Sequence, residues 1–141
     1  MKEADKAYIA GFLDGEGCIA LWSSGRPRVG RSIVRPCVFL ANTNLEVLEW
    51  IREVTGLGHI SRYIERRSPR HKPLYRLIFS ENEIPILLEA VLPYLKVKRE
   101  QAEIVLAYYK IPTSDGVENE ETALLALALR DRLAKLNKRG A

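Results

Sequence analysis

Small residues recur four apart near the start of the chain, Ala7-x-x-x-Gly11-x-x-x-Gly15, within Ala7-Tyr8-Ile9-Ala10-Gly11-Phe12-Leu13-Asp14-Gly15-Glu16-Gly17-Cys18. The run predicts a short helix that begins near Asp5 as its N-cap and stops at the glycines. Each glycine inside a helix costs about 1 kcal/mol relative to alanine, so a helix that keeps two needs an offsetting contact. Small-x-x-x-small faces let a second backbone approach closely. The stretch is too short and too charged to cross a bilayer, so the expected partner is another soluble helix. Ala7, Ala10, Gly11 and Asp14 are the residues expected at that contact.

The acids at the end of this helix are a second anomaly. Asp14 and Glu16 fall where the helix dipole is already negative, which is unfavourable for a carboxylate. Glycines on both sides of Glu16 leave its carboxylate and the nearby carbonyls open to a ligand. If the small face pairs with an identical helix, two such acids meet, and a cation must lie between or beside them. A carboxylate, backbone oxygens and an outside phosphate form a typical magnesium environment. The plainer alternative is a surface helix closed by a glycine turn.

The string Tyr8-Ile9-Ala10-Gly11-Phe12-Leu13-Asp14-Gly15-Glu16-Gly17-Cys18-Ile19 resembles the signature helix of the LAGLIDADG homing endonucleases, and the resemblance extends to about residue 110. It implies an α+β fold of order αββαββα, with a saddle-shaped antiparallel sheet backed by helices. Glu16 stands where the family carries its metal-binding acid. By the resemblance, Glu16 and the Gly15 carbonyl hold Mg2+ or Mn2+. Lys98, in Tyr94-Leu95-Lys96-Val97-Lys98, matches a lysine that approaches the site from a helix start, with Lys96 the competing candidate. Asn42 matches a polar position that orients solvent, and it reads equally as a helix cap. Glu16, Lys98 and Asn42 are thus the implied catalytic set. The chain holds one copy of the motif and no internal repeat. The resemblance therefore implies a homodimer that cuts double-stranded DNA at a near-palindromic site, since symmetric partners read symmetric half-sites. A maturase or regulator of the same fold, binding intron RNA or DNA without cutting, is the rival that the resemblance also allows.

Charge distribution agrees with a polyanion partner. The net charge is only +4, but residues 18–41 hold Arg26, Arg28, Arg31 and Arg35 with no acid. Residues 58–79 hold Arg62, Arg66, Arg67, Arg70, Lys72 and Arg76 against Glu65 alone. Segregation this sharp favours nucleic acid over a merely solvated face. Both segments read as hairpins: Ile19 to Ser23 with Val34 to Ala41, and His59 to Ile64 with Leu74 to Phe79. Alternation sends Ile19, Leu21, Val38 and Leu40 to the core, and Trp22, Ser24, Arg31, Arg35 and Cys37 to the other face. On the second hairpin His59, Ser61, Tyr63 and Arg76 look outward, and Arg66, Arg67, Arg70 and Lys72 crowd the loop. A strand ribbon with this lining suits a major groove.

The rest of the chain supplies helices. Asn42 or Asn44 caps one that carries Leu45, Leu48, Ile51 and Val54 and closes at Gly56. Another follows Ser80 or Asn82 with Pro85 in its first turn, Pro93 breaks it, and Lys98 to Tyr109 forms the next. A last helix runs from Glu118 to about Asn137, with Leu125, Ala128 or Leu129, Arg132 and Leu136 along one face. With 47% hydrophobic and 28% charged residues, the chain reads as one globular domain over residues 1–141 with a C-terminal helical extension. No secretory signal or membrane-length apolar run is visible, which points to a prokaryotic cytoplasm or an organelle matrix. Cys18 and Cys37 are expected as free thiols, although neighbouring strands leave a bridge open, and His59 and His71 without a Cys-x-x-Cys argue against zinc.

Overall fold

The computed structural model describes residues 1–23, 34–63, 72–112 and 120–139. Its elements are α1 (Glu3–Glu16), β1 (Gly17–Ser23), β2 (Val34–Asn42), α2 (Leu45–Thr55), β3 (His59–Tyr63), β4 (Leu74–Phe79), α3 (Ile84–Val91), α4 (Arg99–Tyr109) and α5 (Glu120–Arg139). A 3-10 turn at Leu92–Tyr94 marks the expected break at Pro93. The order αββαββα followed by two further helical segments is the α+β arrangement implied by the motif.

α1 starts earlier than expected. Lys2 is its N-cap, and Asp5 lies inside the first turn with Glu3, where acids complement the helix dipole. Lys6 ties the turn down from its Nζ to Glu3 at 3.0 Å, and the Tyr94 hydroxyl donates to the same carboxylate. Ile9, Ala10 and Leu13 form the buried face. At the other end there is no loop: Glu16 is the last helical residue and Gly17 the first of β1. The Gly17 N–H donates to the Leu13 carbonyl. A Cβ on Gly17 would lie 2.3 Å from Leu13 Cδ1 and 2.7 Å from the Leu13 oxygen, so the direct helix-to-strand junction requires glycine.

The four strands form one antiparallel sheet in the order β1-β2-β4-β3. Ile19 pairs with Val38, Val38 with Phe79, and Leu40 with both Gly17 and Leu77, so one face carries Ile19, Leu21, Val38, Leu40, Leu77 and Phe79. All six are buried in a core shared with Ile9 and Leu13 of α1, Leu48 and Ile51 of α2, and Leu87 and Leu88 of α3. Burying side chains of this size stabilises the fold by about 1.5–3 kcal/mol each before the entropy of ordering is counted. The opposite face carries Cys18, Ala20 and Trp22 of β1, Arg35, Cys37 and Phe39 of β2, and Arg76 and Ile78 of β4. The face assignments from alternation therefore hold for these residues.

The caps select between alternatives. Asn44 is the N-cap of α2, accepting from the Val47 N–H at 3.1 Å, and Gly56 closes the helix in the left-handed conformation at φ 69°. Asn42 Oδ1 accepts from the Asn44 N–H at 2.8 Å, an Asx turn that leads into the cap. Neither Ser80 nor Asn82 caps α3; Glu83 stands there instead, and its carboxylate binds the N–H groups of Gly58 and Ser80, both at 2.9 Å. The buried stripe of α5 is Ala126 and Leu133 flanked by Leu129 and Leu136, while Leu125 and Arg132 are exposed. The expected face is thus rotated. Leu124, Leu125, Leu127 and Leu129 surround this helix, so periodicity alone could not choose its side. Among the described residues no helix is long and apolar enough to cross a membrane.

Candidate active site

Glu16 projects from the C-terminal end of α1 at the point where β1 begins, and it is exposed. Among the described residues its side chain makes no hydrogen bond or ion pair. Gly15 beside it is exposed too. The second acid of the motif behaves differently. Asp14 turns back into its own subunit, where its two carboxylate oxygens accept from the backbone N–H groups of Lys96 and Lys98, each at 2.9 Å. Asp14 was expected at a helix–helix contact; the turn before α4 claims its carboxylate instead. The orphan N–H groups ahead of a helix supply the positive partner that the C-terminus of α1 lacks.

Lys98 is the N-cap residue of α4 and its side chain crosses back to α1. Its Nζ donates to the Asp14 carbonyl oxygen at 2.5 Å. A cation thus sits at the negative end of the α1 dipole, two residues before Glu16. Of the two lysines considered, Lys98 is the one that reaches the motif; Lys96 contributes its backbone N–H and leaves its side chain exposed. Asn42 ends β2 with the parity of Val38 and Leu40, and its carboxamide oxygen is committed to the turn entering α2.

The small-residue face divides in two. Ala7, Gly11 and Gly15 are exposed, as are Ala4 and Tyr8 on the same side, and a Cβ on Gly11 or Gly15 would meet nothing within 4 Å. Ala10 departs from the expected set: it is wholly buried in the subunit's own core, because it lies on the Ile9 and Leu13 side of the helix. What remains is an exposed stripe of small residues along α1.

The outer face of the sheet begins at this helix end. Trp22 is 59% exposed, and Arg35 is exposed with its guanidinium paired to Glu81 at 3.1 Å. The Arg76 guanidinium lies 4.5 Å from the centre of the Phe39 ring, a cation–π contact that holds it over the middle of the sheet. Cys37 and Ser61 are half-buried on this face, His59 and Lys72 are exposed, and Tyr63 pairs with Leu74 in the sheet. Ser24, Arg26, Arg28, Arg31, Arg66, Arg67 and Arg70 lie outside the described residues. Cys18 and Cys37 are free thiols. Burial pushes both above the ordinary thiol range, and each raises a further question of charge: Lys98 and Arg76 pull Cys18 down, while Cys18 itself raises Cys37 against Arg76. Burial wins at both, so both thiols are held protonated at neutral pH.

The donor set suits a hard cation. A closed zinc cage needs four converging ligands, and among the described residues no three His, Cys, Asp or Glu side chains converge. Magnesium, by contrast, keeps several waters and takes one or two carboxylates plus a substrate phosphate. An uncommitted Glu16 with the adjacent Gly15 carbonyl fits that demand. Sequence reasoning missed the double N–H capping by Asp14, the anchoring role of Glu83, and the tie from Asn137 Nδ2 to the Ile19 carbonyl at 3.0 Å. For Asp14 a signal existed, since an acid at a helix C-terminus calls for a donor from elsewhere.

No protein-family model matches the chain. The DNA endonuclease I-CvuI of Chlorella vulgaris is 33% identical over 125 residues, which cover 85% of this chain and 74% of that protein. The crystal structure of I-CvuI with the I-CreI target and 2 mM Mg, its DNA not cleaved, superposes with a TM-score of 0.71 at 24% identity, over 95% of this chain and 82% of the other. The archaeal intron-encoded homing endonuclease I-Vdi141I, complexed with DNA, gives a TM-score of 0.72 at 23% identity, over 96% and 86%. The LAGLIDADG meganuclease I-AabMI, bound to uncleaved DNA, gives 0.66 at 22% identity, and the match spans 89% of this chain but 43% of that one. The helix motif, the sheet order and this relationship together make the chain a member of the LAGLIDADG homing endonucleases, of the single-motif type.

Proposed function

We propose that two copies of the chain act as a homodimer that cuts both strands of a long, nearly palindromic DNA site in a Mg2+- or Mn2+-dependent reaction. The observation that carries the reading is the end of α1, where Glu16 is exposed with an uncommitted carboxylate and the Lys98 ammonium binds the Asp14 carbonyl two residues earlier. The relative I-CvuI has been crystallised on DNA with Mg and with Ca, which supports a divalent metal. The residues form one endonuclease domain that α5 extends.

Each subunit lays its sheet face into the major groove of a half-site, with Trp22, Cys37, His59, Ser61, Tyr63 and Arg76 toward the bases. Arg35 and Lys72, together with Ser24, Arg26, Arg28, Arg31, Arg66, Arg67 and Arg70, draw the duplex in. The stripe Ala7, Gly11 and Gly15 packs on its copy across the dyad and brings both Glu16 residues to the scissile phosphates. Glu16 and the Gly15 carbonyl would hold the metal, which would supply an activated water for in-line attack and stabilisation of the leaving oxygen. Lys98 offsets the negative charge that grows on the phosphate. Asn42 closes the turn into α2 with its Oδ1 and orients solvent through its Nδ2.

The test is to incubate the protein and Mg2+ with a randomised duplex library and sequence the ends. Enriched, near-symmetric double-strand ends are expected. Specific binding with no ends at any enriched site overturns cleavage and leaves the maturase or regulator reading standing.

A further inference from the structure

Behind Lys98 lies a cavity of about 280 Å³. Its walls include Gly17 and Cys18 at the start of β1, Lys98 and Gln101 of α4, and Asn137 of α5. Gln101 follows Lys98 by one helical turn, the spacing that sets two side chains on one face. Gln101 is only 6% exposed, one of two buried polar residues in the described structure. No side-chain hydrogen bond among the described residues reaches it. Asn137, across the cavity, spends its Nδ2 on the Ile19 carbonyl.

A buried amide that borders open space takes its hydrogen bonds from water, and a water occupies about 30 Å³ of liquid volume, so there is room here for several. Lys98 needs such partners as well. An ammonium has three donors, and the Asp14 carbonyl takes one of them.

We infer that Gln101 is a positioning residue for cleavage: it holds water in this cavity, and that water accepts a second hydrogen bond from the Lys98 ammonium and fixes it at the end of α1. The inference rests on the nuclease reading and concerns how its lysine is aimed. Gln101 itself touches neither metal nor phosphate. It acts as an outer partner of a site residue, a class whose loss typically reduces activity about 10–100-fold.

The experiment compares wild type with Gln101→Leu, which keeps volume without polarity, and with Gln101→Glu, which keeps an acceptor oxygen. Single-turnover cleavage is measured at saturating enzyme, and DNA affinity is measured separately in Ca2+. The Leu variant is expected to cut about 10–100-fold more slowly with affinity unchanged, and the Glu variant to recover most of the rate. A Leu variant that cuts at the wild-type rate, or that loses rate only in step with affinity, overturns the inference. Should the variant not fold, a high-resolution crystal structure of the wild type decides: ordered water between Gln101 and Lys98 supports it, and a dry cavity overturns it. Wild type that cuts no site sinks the nuclease reading, whereas wild type and Leu variant cutting alike sink this inference alone.

Discussion

The Lys98 ammonium rests 2.5 Å from the carbonyl oxygen of Asp14, 84 positions earlier in the chain, while the Asp14 carboxylate holds the Lys98 backbone N–H at 2.9 Å. The two residues thus grip each other through backbone and side chain at once. One contact serves stability and the other aims a cation at the end of α1.

Asp14→Ala removes the acceptor for two N–H groups and should destabilise the fold by about 1–3 kcal/mol. Cleavage should fall by more than the loss of folded protein explains, because the Lys98 backbone loses the carboxylate that fixes it and the ammonium is aimed less firmly. Denaturant unfolding at fixed protein concentration, paired with single-turnover cleavage, checks both halves. Unchanged stability would mean that the turn before α4 holds itself.

Glu16→Gln should reduce cleavage by more than about 100-fold, since even partners one shell further from a metal account for 10–100-fold. Specific binding in Ca2+ should persist or tighten, because a negative charge near phosphate is removed. A gel shift beside a cleavage assay reads both. Normal cutting by this variant would assign the metal elsewhere.

Two glycines six residues apart should respond in opposite ways. Gly11→Leu meets open space, so the subunit should fold normally and sediment as a monomer. Gly17→Ala drives its Cβ against Leu13, and overpacking of this kind costs about 1–3 kcal/mol, so unfolding should shift while self-association survives. A Gly11→Leu protein that sediments as an unchanged dimer would contradict the α1 contact.

Glu83 should give the fold an acid-sensitive component. Hydrogen bonds from the Gly58 and Ser80 N–H groups hold its carboxyl below the ordinary value of 4.5. A group depressed on folding stabilises above its unfolded pKa and loses that contribution as pH falls through the folded one. The stability gap between wild type and Glu83→Gln should therefore stay constant from neutral pH down to about 5 and narrow below 4.5. Thermal melts across that range measure it; a gap independent of pH would show that the charge is not what matters.

Much of this architecture is legible in the residues. Ile19 and Leu21 alternate with outward neighbours, and Val38 and Leu40 do the same, so parity fixes which side of each strand is buried. Gly56 after Leu48 and Ile51 marks the end of α2 with equal clarity. What the sequence hid are contacts between distant segments. The place of Asp14 at a helix C-terminus calls for a donor but does not say that the turn at Lys96 and Lys98 supplies it, and nothing near Glu83 announces Gly58. Ala10 sits four residues before Asp14 and beside Gly11, yet one step around the helix moves it from the exposed stripe into the core. Spacing alone does not resolve that rotation.

The direct passage from α1 into β1 has a mechanical consequence. With no loop between Glu16 and Cys18, and with Gly17 packed on Leu13, β1 and the end of α1 are mechanically one piece. A push on Trp22 is carried to Glu16, so substitutions along β1 should alter the rate of cleavage as well as the choice of site.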